Sequence, residues 1–291
     1  MDSMKIGRLI LTYREDLINT LHDFYLGKRT NFLVIAYNRA TVNPDKFEQS
    51  ENFKLVPYYG SGGKYGQPGG IGGQQYHVWV DVVKKFPEID GWVIHDYDFI
   101  AKPSDADIFS HIAPNEYAMA GTAFPVLLPG MKITDIDTYP FPQSYQYWYQ
   151  GFNPQKELIR KILMESYPVS SQGIQTIMGG SSDFIATSKV NILLLDDEKI
   201  SDPELEGAEQ IPHTIWRARG IKPVDMRKFY KMKVLLDVQY IPFSDKYDML
   251  NPVKYWPGQK PSSKIVLQNL KYRFKKFIKQ LIGYKGYRFG R

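Results

Sequence analysis

The chain has 291 residues, 43% hydrophobic and 23% charged, a balance that supports a buried core and argues against a disordered polymer. It has no cysteine, which excludes disulfides and thiolate metal sites and fits a reducing compartment. The net charge of +6 hides an asymmetry: residues 262–291 hold nine Lys or Arg and no Asp or Glu, leaving 28 of the 37 basic residues against all 31 acidic ones in the body.

The N-terminus, MDSMKIGRLILTYRED, has an apolar run too short and too soon charged for a secretory signal. No stretch approaches the roughly 20 apolar residues of a membrane helix, so the expected location is cytoplasmic. KIGRLILTY (5–13) reads as a strand, and DLINTLHDFYLGK (16–28) spaces Leu17, Leu21, Phe24 and Tyr25 as a helix does. NFLVIAYN (31–38) and FKLVPYY (53–59) are further strands. A Gly-rich loop (60–73) precedes QQYHVWVDVVKKF (74–86), where Val78, Trp79, Val82, Val83 and Phe86 form one helical face. GWVIHDYDFI (91–100) is a strand ending in two carboxylates, Asp96 and Asp98. Continuous apolar strands separated by amphipathic helices predict an α/β fold with a mixed, mostly parallel, Rossmann-like sheet flanked by helices.

EYAMAGTAF (116–124) reads as another strand, and an aromatic-rich loop (135–155) follows. KELIRKILMESY (156–167) is a predicted helix, and SSDFIATSKVNILLL (181–195) follows a Gly-Gly turn. EGAEQIPHTIWRARGIKPVDM (206–226) reads as a loop, a short helix and a strand. Composition shifts near Pro252, Pro257 and Pro261, beyond which SSKIVLQNLKYRFKKFIKQLIG (262–283) starts at serines suited to helix capping. The expected organisation is one domain over 1–250, with a nucleotide-binding half (1–115) and an acceptor half (116–250). Residues 251–291 then form a Pro-rich linker and a basic, amphipathic, helical C-terminal tail.

The Gly-rich loop does not carry a known phosphate cradle. A P-loop needs Ser or Thr after the Gly-Lys pair, but Tyr65 follows Gly63 and Lys64. The dinucleotide fingerprint fails as well, because Tyr65 and Gln75 stand where third glycines belong. Asp96 and Asp98 are stronger candidates. Two carboxylates one residue apart at a strand end repel each other unless water or a cation separates them. Mg²⁺ or Mn²⁺ prefers such oxygen ligands, with substrate phosphates completing the shell.

On these residues the chain resembles the GT-A-fold glycosyltransferases that use nucleotide-diphosphosugars. The resemblance covers about residues 5–226. It rests on the D-x-D strand VIHDYD, on MGGSSDFIATSKV as the glycine-led acceptor segment, and on AEQIPHTIWRARG as a counterpart of an acidic motif. It implies a metal-dependent transfer of a sugar, from a UDP-sugar first and a GDP-sugar second, to a hydroxyl of a glycan or glycoconjugate. Asp96 and Asp98 would hold Mn²⁺ or Mg²⁺ and the donor diphosphate, and His213 reads either as a further metal ligand or as an ordinary surface or core histidine. Thr12, Tyr13 and Arg14 would contact the nucleotide, and Gly179 and Gly180 would line the acceptor side. Glu209 would be the base. Gln210 stands where family members usually have Asp, which leaves Asp183 and Glu206 as rivals for that role and a retaining mechanism open.

Other features extend this expectation. Tyr147 and Trp148, among Tyr139, Phe141, Tyr145 and Tyr149, could stack on the C–H faces of an acceptor sugar or simply pack their own loop. His95 points to the face opposite Asp96 by strand alternation and reads as structural. The tail interleaves Lys271, Arg273, Lys275, Lys276 and Lys279 with Phe274, Phe277, Ile278, Leu281 and Ile282. That pattern suits peripheral contact with a membrane surface or docking on the body; the body supplies no basic groove for nucleic acid. The competing functions are a phosphohydrolase using D-x-D as nucleophile and acid, and a non-catalytic carbohydrate-binding protein.

Overall fold

The computed structural model describes residues 4–58, 75–121, 123–126, 154–171, 174–180, 183–200, 210–234, 243–251, 253, 256, 267, 270, 271, 274 and 278. The first half follows the predicted alternation. Strand β1 (Ile6–Thr12) leads through a 3-10 turn to helix α1 (Ile18–Tyr25), then to β2 (Leu33–Asn38) and β3 (Phe53–Tyr58). Helix α1 stops where Leu26 turns extended and Gly27 takes φ 72°, a conformation glycine adopts without strain. Helix α2 (Gln75–Lys85) precedes β4 (Gly91–Asp96), followed by β5 (Ile100–Ala101), α3 (Asp105–Phe109) and β6 (Glu116–Met119).

The second half is more broken. The expected strand over 116–124 divides into β6 and β7 (Phe124–Val126), which join different sheets. Helix α4 (Pro154–Ser166) follows, then β8 (Val169–Ser171), β9 (Ile174–Gly179), β10 (Phe184–Ser188) and α5 (Lys189–Leu193). Helix α6 (Ile211–Ala218) tolerates Pro212 in its first turn, where the missing N–H has no intrahelical partner to lose. Strands β11 (Lys222–Asp225), β12 (Met232–Val234) and β13 (Met249–Asn251) complete the described elements.

The protein is α/β, with a seven-stranded mixed sheet ordered β11-β6-β10-β4-β1-β2-β3. β1 is parallel to β2 and β4, β2 to β3, and β6 to β11; β10 alone runs against its neighbours, β4 and β6. Both faces are covered, which is why the strands read as unbroken apolar runs. Leu9, Leu11, Trp92 and Ile94 pack with Trp79, Val82 and Val83 of α2 and with Ile215 and Trp216 of α6. On the other face, Ile10 and Ile35 meet Ile18, Leu21 and Tyr25 of α1, while Val93 and Phe184 meet Phe99 and Ile108.

Arg8 carries a full charge through this core. Its side chain is inaccessible to water, its Nε donates to Asp105 Oδ1 at 2.8 Å, and its guanidinium lies 4.4 Å from the centre of the Tyr25 ring. Burial raises the Asp105 carboxyl above its ordinary value against the opposing pull of Arg8. The pair ties β1 to the start of α3.

The position of the carboxylates follows from strand order. From β1 the chain winds outward to β2 and β3, then returns to β4 on the other side of β1. Where winding reverses, the connections diverge and leave a crevice at the carboxyl ends of the two central strands. Those ends are Thr12 and Asp96.

Candidate functional site

The register pairs Leu11 with Asp96, so the turn after β1 and the turn after β4 emerge side by side. Two tyrosines fasten them. The Tyr97 hydroxyl donates to the Tyr13 hydroxyl at 2.8 Å, the rings meeting edge to face at 5.1 Å. The Tyr97 backbone N–H also donates to the Leu11 carbonyl at 2.9 Å. Tyr97 is buried, whereas Asp96 and Asp98 on either side of it are half-buried. The middle residue of D-x-D thus anchors the turn, and the carboxylates flank it at the crevice.

The electrostatics suit an acidic edge. Burial raises the Tyr97 phenol, and the Asp98 charge and the Tyr13 bond raise it further. Burial likewise raises the Tyr58 phenol, helped by the Asp96 charge. Both phenols therefore stay neutral beside the carboxylates across the physiological range. Tyr58, at the end of β3, donates its hydroxyl to the Thr12 carbonyl at 3.3 Å.

Thr12, expected with Tyr13 and Arg14 at the nucleotide end, closes β1, and the other two stand in the turn after it. Thr12 is buried and its Oγ1 accepts the Arg14 N–H at 2.9 Å, shaping the turn. Arg14 Nε donates to Asp16 Oδ1 at 2.7 Å, and that bond raises the guanidinium above its ordinary value. Arg14 is thus a cation held in orientation at the rim.

Asp183 joins the same edge. Its carbonyl accepts the Asp96 N–H at 3.2 Å, and its Oδ2 accepts from Asn251 Nδ2 at 2.8 Å. Asn251 lies in β13, which pairs with β5 directly after the acidic turn. The Val253 N–H then donates to the Asp98 carbonyl at 2.7 Å, and Trp256 Nε1 donates to the Tyr97 carbonyl at 3.2 Å. Asn251, Val253 and Trp256 are all buried. The stretch expected to open a linker after residue 250 therefore begins as part of the body, strapped across the acidic turn.

The structure places His213, weighed both as a metal ligand and as an ordinary histidine, in the core. It is fully buried in α6, its Nδ1 lies 2.9 Å from the Tyr117 hydroxyl, and desolvation pushes its pKa down to about 3. Its ring faces the backbone of Gly180: a Cβ there would come within 2.8 Å of Nε2 and 2.7 Å of Met119 Cε. The space that a side chain on Gly180 would fill is taken by the core, so this glycine serves close packing of β9 on α6. Gly179 ends β9 opposite Phe124. Next to His213, Thr214 Oγ1 accepts the Met178 N–H at 2.9 Å and donates to the Met178 carbonyl at 3.1 Å. His95 matches its structural expectation, fully buried with Nδ1 donating to the Asp96 carbonyl at 2.9 Å and its pKa pushed down to about 3 by burial.

Among the described residues, no group of three His, Cys, Asp or Glu side chains is placed to hold a metal ion. The donor chemistry at Asp96 and Asp98 still fits Mg²⁺ or Mn²⁺, because such ions often take one or two protein carboxylates and fill the shell with phosphate oxygens and water. Glu206, Glu209, Tyr147, Trp148, the aromatic loop around them and the Gly-rich loop lie outside the described residues.

Sequence reasoning missed Tyr58, Asn251, Val253 and Trp256. Tyr58 had a signal, since it ends a strand of the same sheet; Asn251, Val253 and Trp256 lie far along the chain from their partners Asp183, Asp98 and Tyr97 and had none within reach of local patterns. Comparison with models of known protein families finds no match, and comparison with curated proteins finds none either.

Proposed function

We propose that the protein is a metal-dependent glycosyltransferase that moves a sugar from a nucleotide-diphosphosugar, a UDP-sugar first, to a hydroxyl of a glycan or glycoconjugate. The observation that carries this reading is the placement of Asp96 and Asp98 at the carboxyl end of β4, where the sheet reverses its winding, beside Thr12, Tyr13 and Arg14. The mixed sheet is the type that the sequence resemblance implies.

Asp96 and Asp98 would hold Mn²⁺ or Mg²⁺ in this mechanism. When bound, the cation neutralises the charge that builds on the departing diphosphate. The chain's own groups do the rest. Tyr97 fixes the two carboxylates by its bonds to Tyr13 and Leu11; Tyr13 and Arg14 face the nucleotide, and buried Thr12 shapes their turn. Asp183 accepts the proton of the acceptor hydroxyl, its carboxylate oriented by Asn251. Glu209 is the rival base from the sequence resemblance.

Isothermal titration with UDP-glucose and GDP-mannose, with and without Mn²⁺, tests the reading. Metal-dependent binding of one of them, followed by sugar transfer, is the expected outcome. Release of inorganic phosphate from a phosphomonoester such as p-nitrophenyl phosphate, with no sugar transfer from either donor, would move the assignment to a phosphohydrolase. Failure to bind any nucleotide in the presence of metal would leave a carbohydrate-binding protein as the better account.

A further inference from the structure

The C-terminal segment carries an apolar face that the body leaves exposed. Leu267, Leu270, Lys271, Phe274 and Ile278 are helical. The four apolar residues among them are 54%, 56%, 66% and 40% exposed, in chain order. Their steps of three, four and four residues put them on one side of the helix, within an arc of about 80° at about 100° per residue. Single exposed apolar residues are ordinary on a protein surface; a row of four along one face marks a contact.

Charge identifies the kind of contact. Residues 262–291 contain nine Lys or Arg and no Asp or Glu, and Lys271 is exposed at the margin of the apolar row. A second copy laid on this face would bring like charges together, which opposes association. A nucleic acid would meet the cations and leave the apolar row in water. An anionic bilayer meets both, the apolar residues entering the headgroup boundary and the cations meeting the lipid phosphates. Among the described residues no helix is long and apolar enough to cross a membrane, so the geometry is that of a helix lying on a surface.

We propose that the C-terminal segment is a peripheral membrane anchor that binds anionic bilayers through Leu267, Leu270, Phe274 and Ile278 together with Lys271 and the other basic residues of its sequence. The proposal is independent of the transferase reading, because its test contains no nucleotide.

The test is co-sedimentation of the full chain with vesicles of phosphatidylcholine alone or with about 30% phosphatidylglycerol. Binding to the anionic vesicles should be at least about tenfold tighter and should weaken as salt is raised through the range where screening sets in. The double variant Leu270→Asp, Phe274→Asp should lose at least about tenfold in that binding, with an unchanged circular dichroism spectrum. Equal binding to both vesicle types, absence of binding, or a double variant that binds like the parent would overturn the proposal. So would a dimer, seen by analytical ultracentrifugation, that the double variant dissolves while vesicles bind neither protein.

Discussion

The acidic turn after β4 and the helix α6 both place polar side chains against an apolar sheet, and they differ in access to water. At the turn, Asp96 and Asp98 are half-buried and flank a buried tyrosine. In α6, His213 and Thr214 are fully buried; His213 Nδ1 pairs with the Tyr117 hydroxyl and Thr214 Oγ1 with the Met178 backbone. The first arrangement leaves carboxylates able to meet a ligand, while the second uses polar groups to fix one packing of β9. Residue type alone does not distinguish chemistry from architecture; the solvent reach of each atom does.

Acid should have the largest effect, through one buried histidine beside each region, His95 in β4 and His213 in α6. His95 and His213 have folded pKa values near 3 against an ordinary 6.5, so the fold binds the neutral form of each. The stability they contribute is complete above pH 6.5 and is lost as pH falls toward 3, because the unfolded chain takes up protons that the folded chain refuses. Each histidine should remove about 1.4 kcal/mol per pH unit below 6.5, or about 4 kcal/mol for the pair near pH 5. Urea midpoints measured across that window check this, and His213→Gln should roughly halve the histidine-dependent part of the slope.

Asp98→Ala should act on the other region alone. We expect about a 100-fold loss of Mn²⁺-dependent donor affinity with little change in thermal midpoint, since removing one of two neighbouring carboxylates relieves repulsion. A variant that binds donor and metal as the parent does would remove Asp98 from the site. Gly180→Ala should do the reverse. Its new methyl group meets the His213 ring and Met119, so stability should fall by about 1–3 kcal/mol while the metal requirement persists. The smallest effect falls where the regions approach each other. Asn251→Ala takes a donor from Asp183 and should cost about 1 kcal/mol of stability; if Asp183 is the base, the transfer rate should drop more than donor affinity, as read from kcat against KM.

The elements that were legible in the sequence are those whose burial is regular. The strands β1, β2 and β4 are buried on both faces and read as largely apolar runs, whereas β3 leaves Pro57 exposed; the face of α2 falls at helical spacing. Helix α6 is different: Ile211, Pro212, His213, Thr214, Ile215 and Trp216 are all buried. Arg217 and Ala218 at its end are exposed, so burial there follows position along the helix, and a polar His213 within the buried part did not read as a core residue. Val253 and Trp256 were hidden for another reason. They stand between prolines as isolated apolar residues, and isolated residues have no period.

The strap formed by Asn251, Val253 and Trp256 has a practical consequence. A shortened protein ending ahead of β13, as the proline-rich composition would invite, would strip the hydrogen-bond donors from the Tyr97 and Asp98 carbonyls and from the Asp183 carboxylate at one stroke. Such a truncation would change the mouth of the crevice itself, and an inactive fragment made that way would say nothing about the tail beyond it.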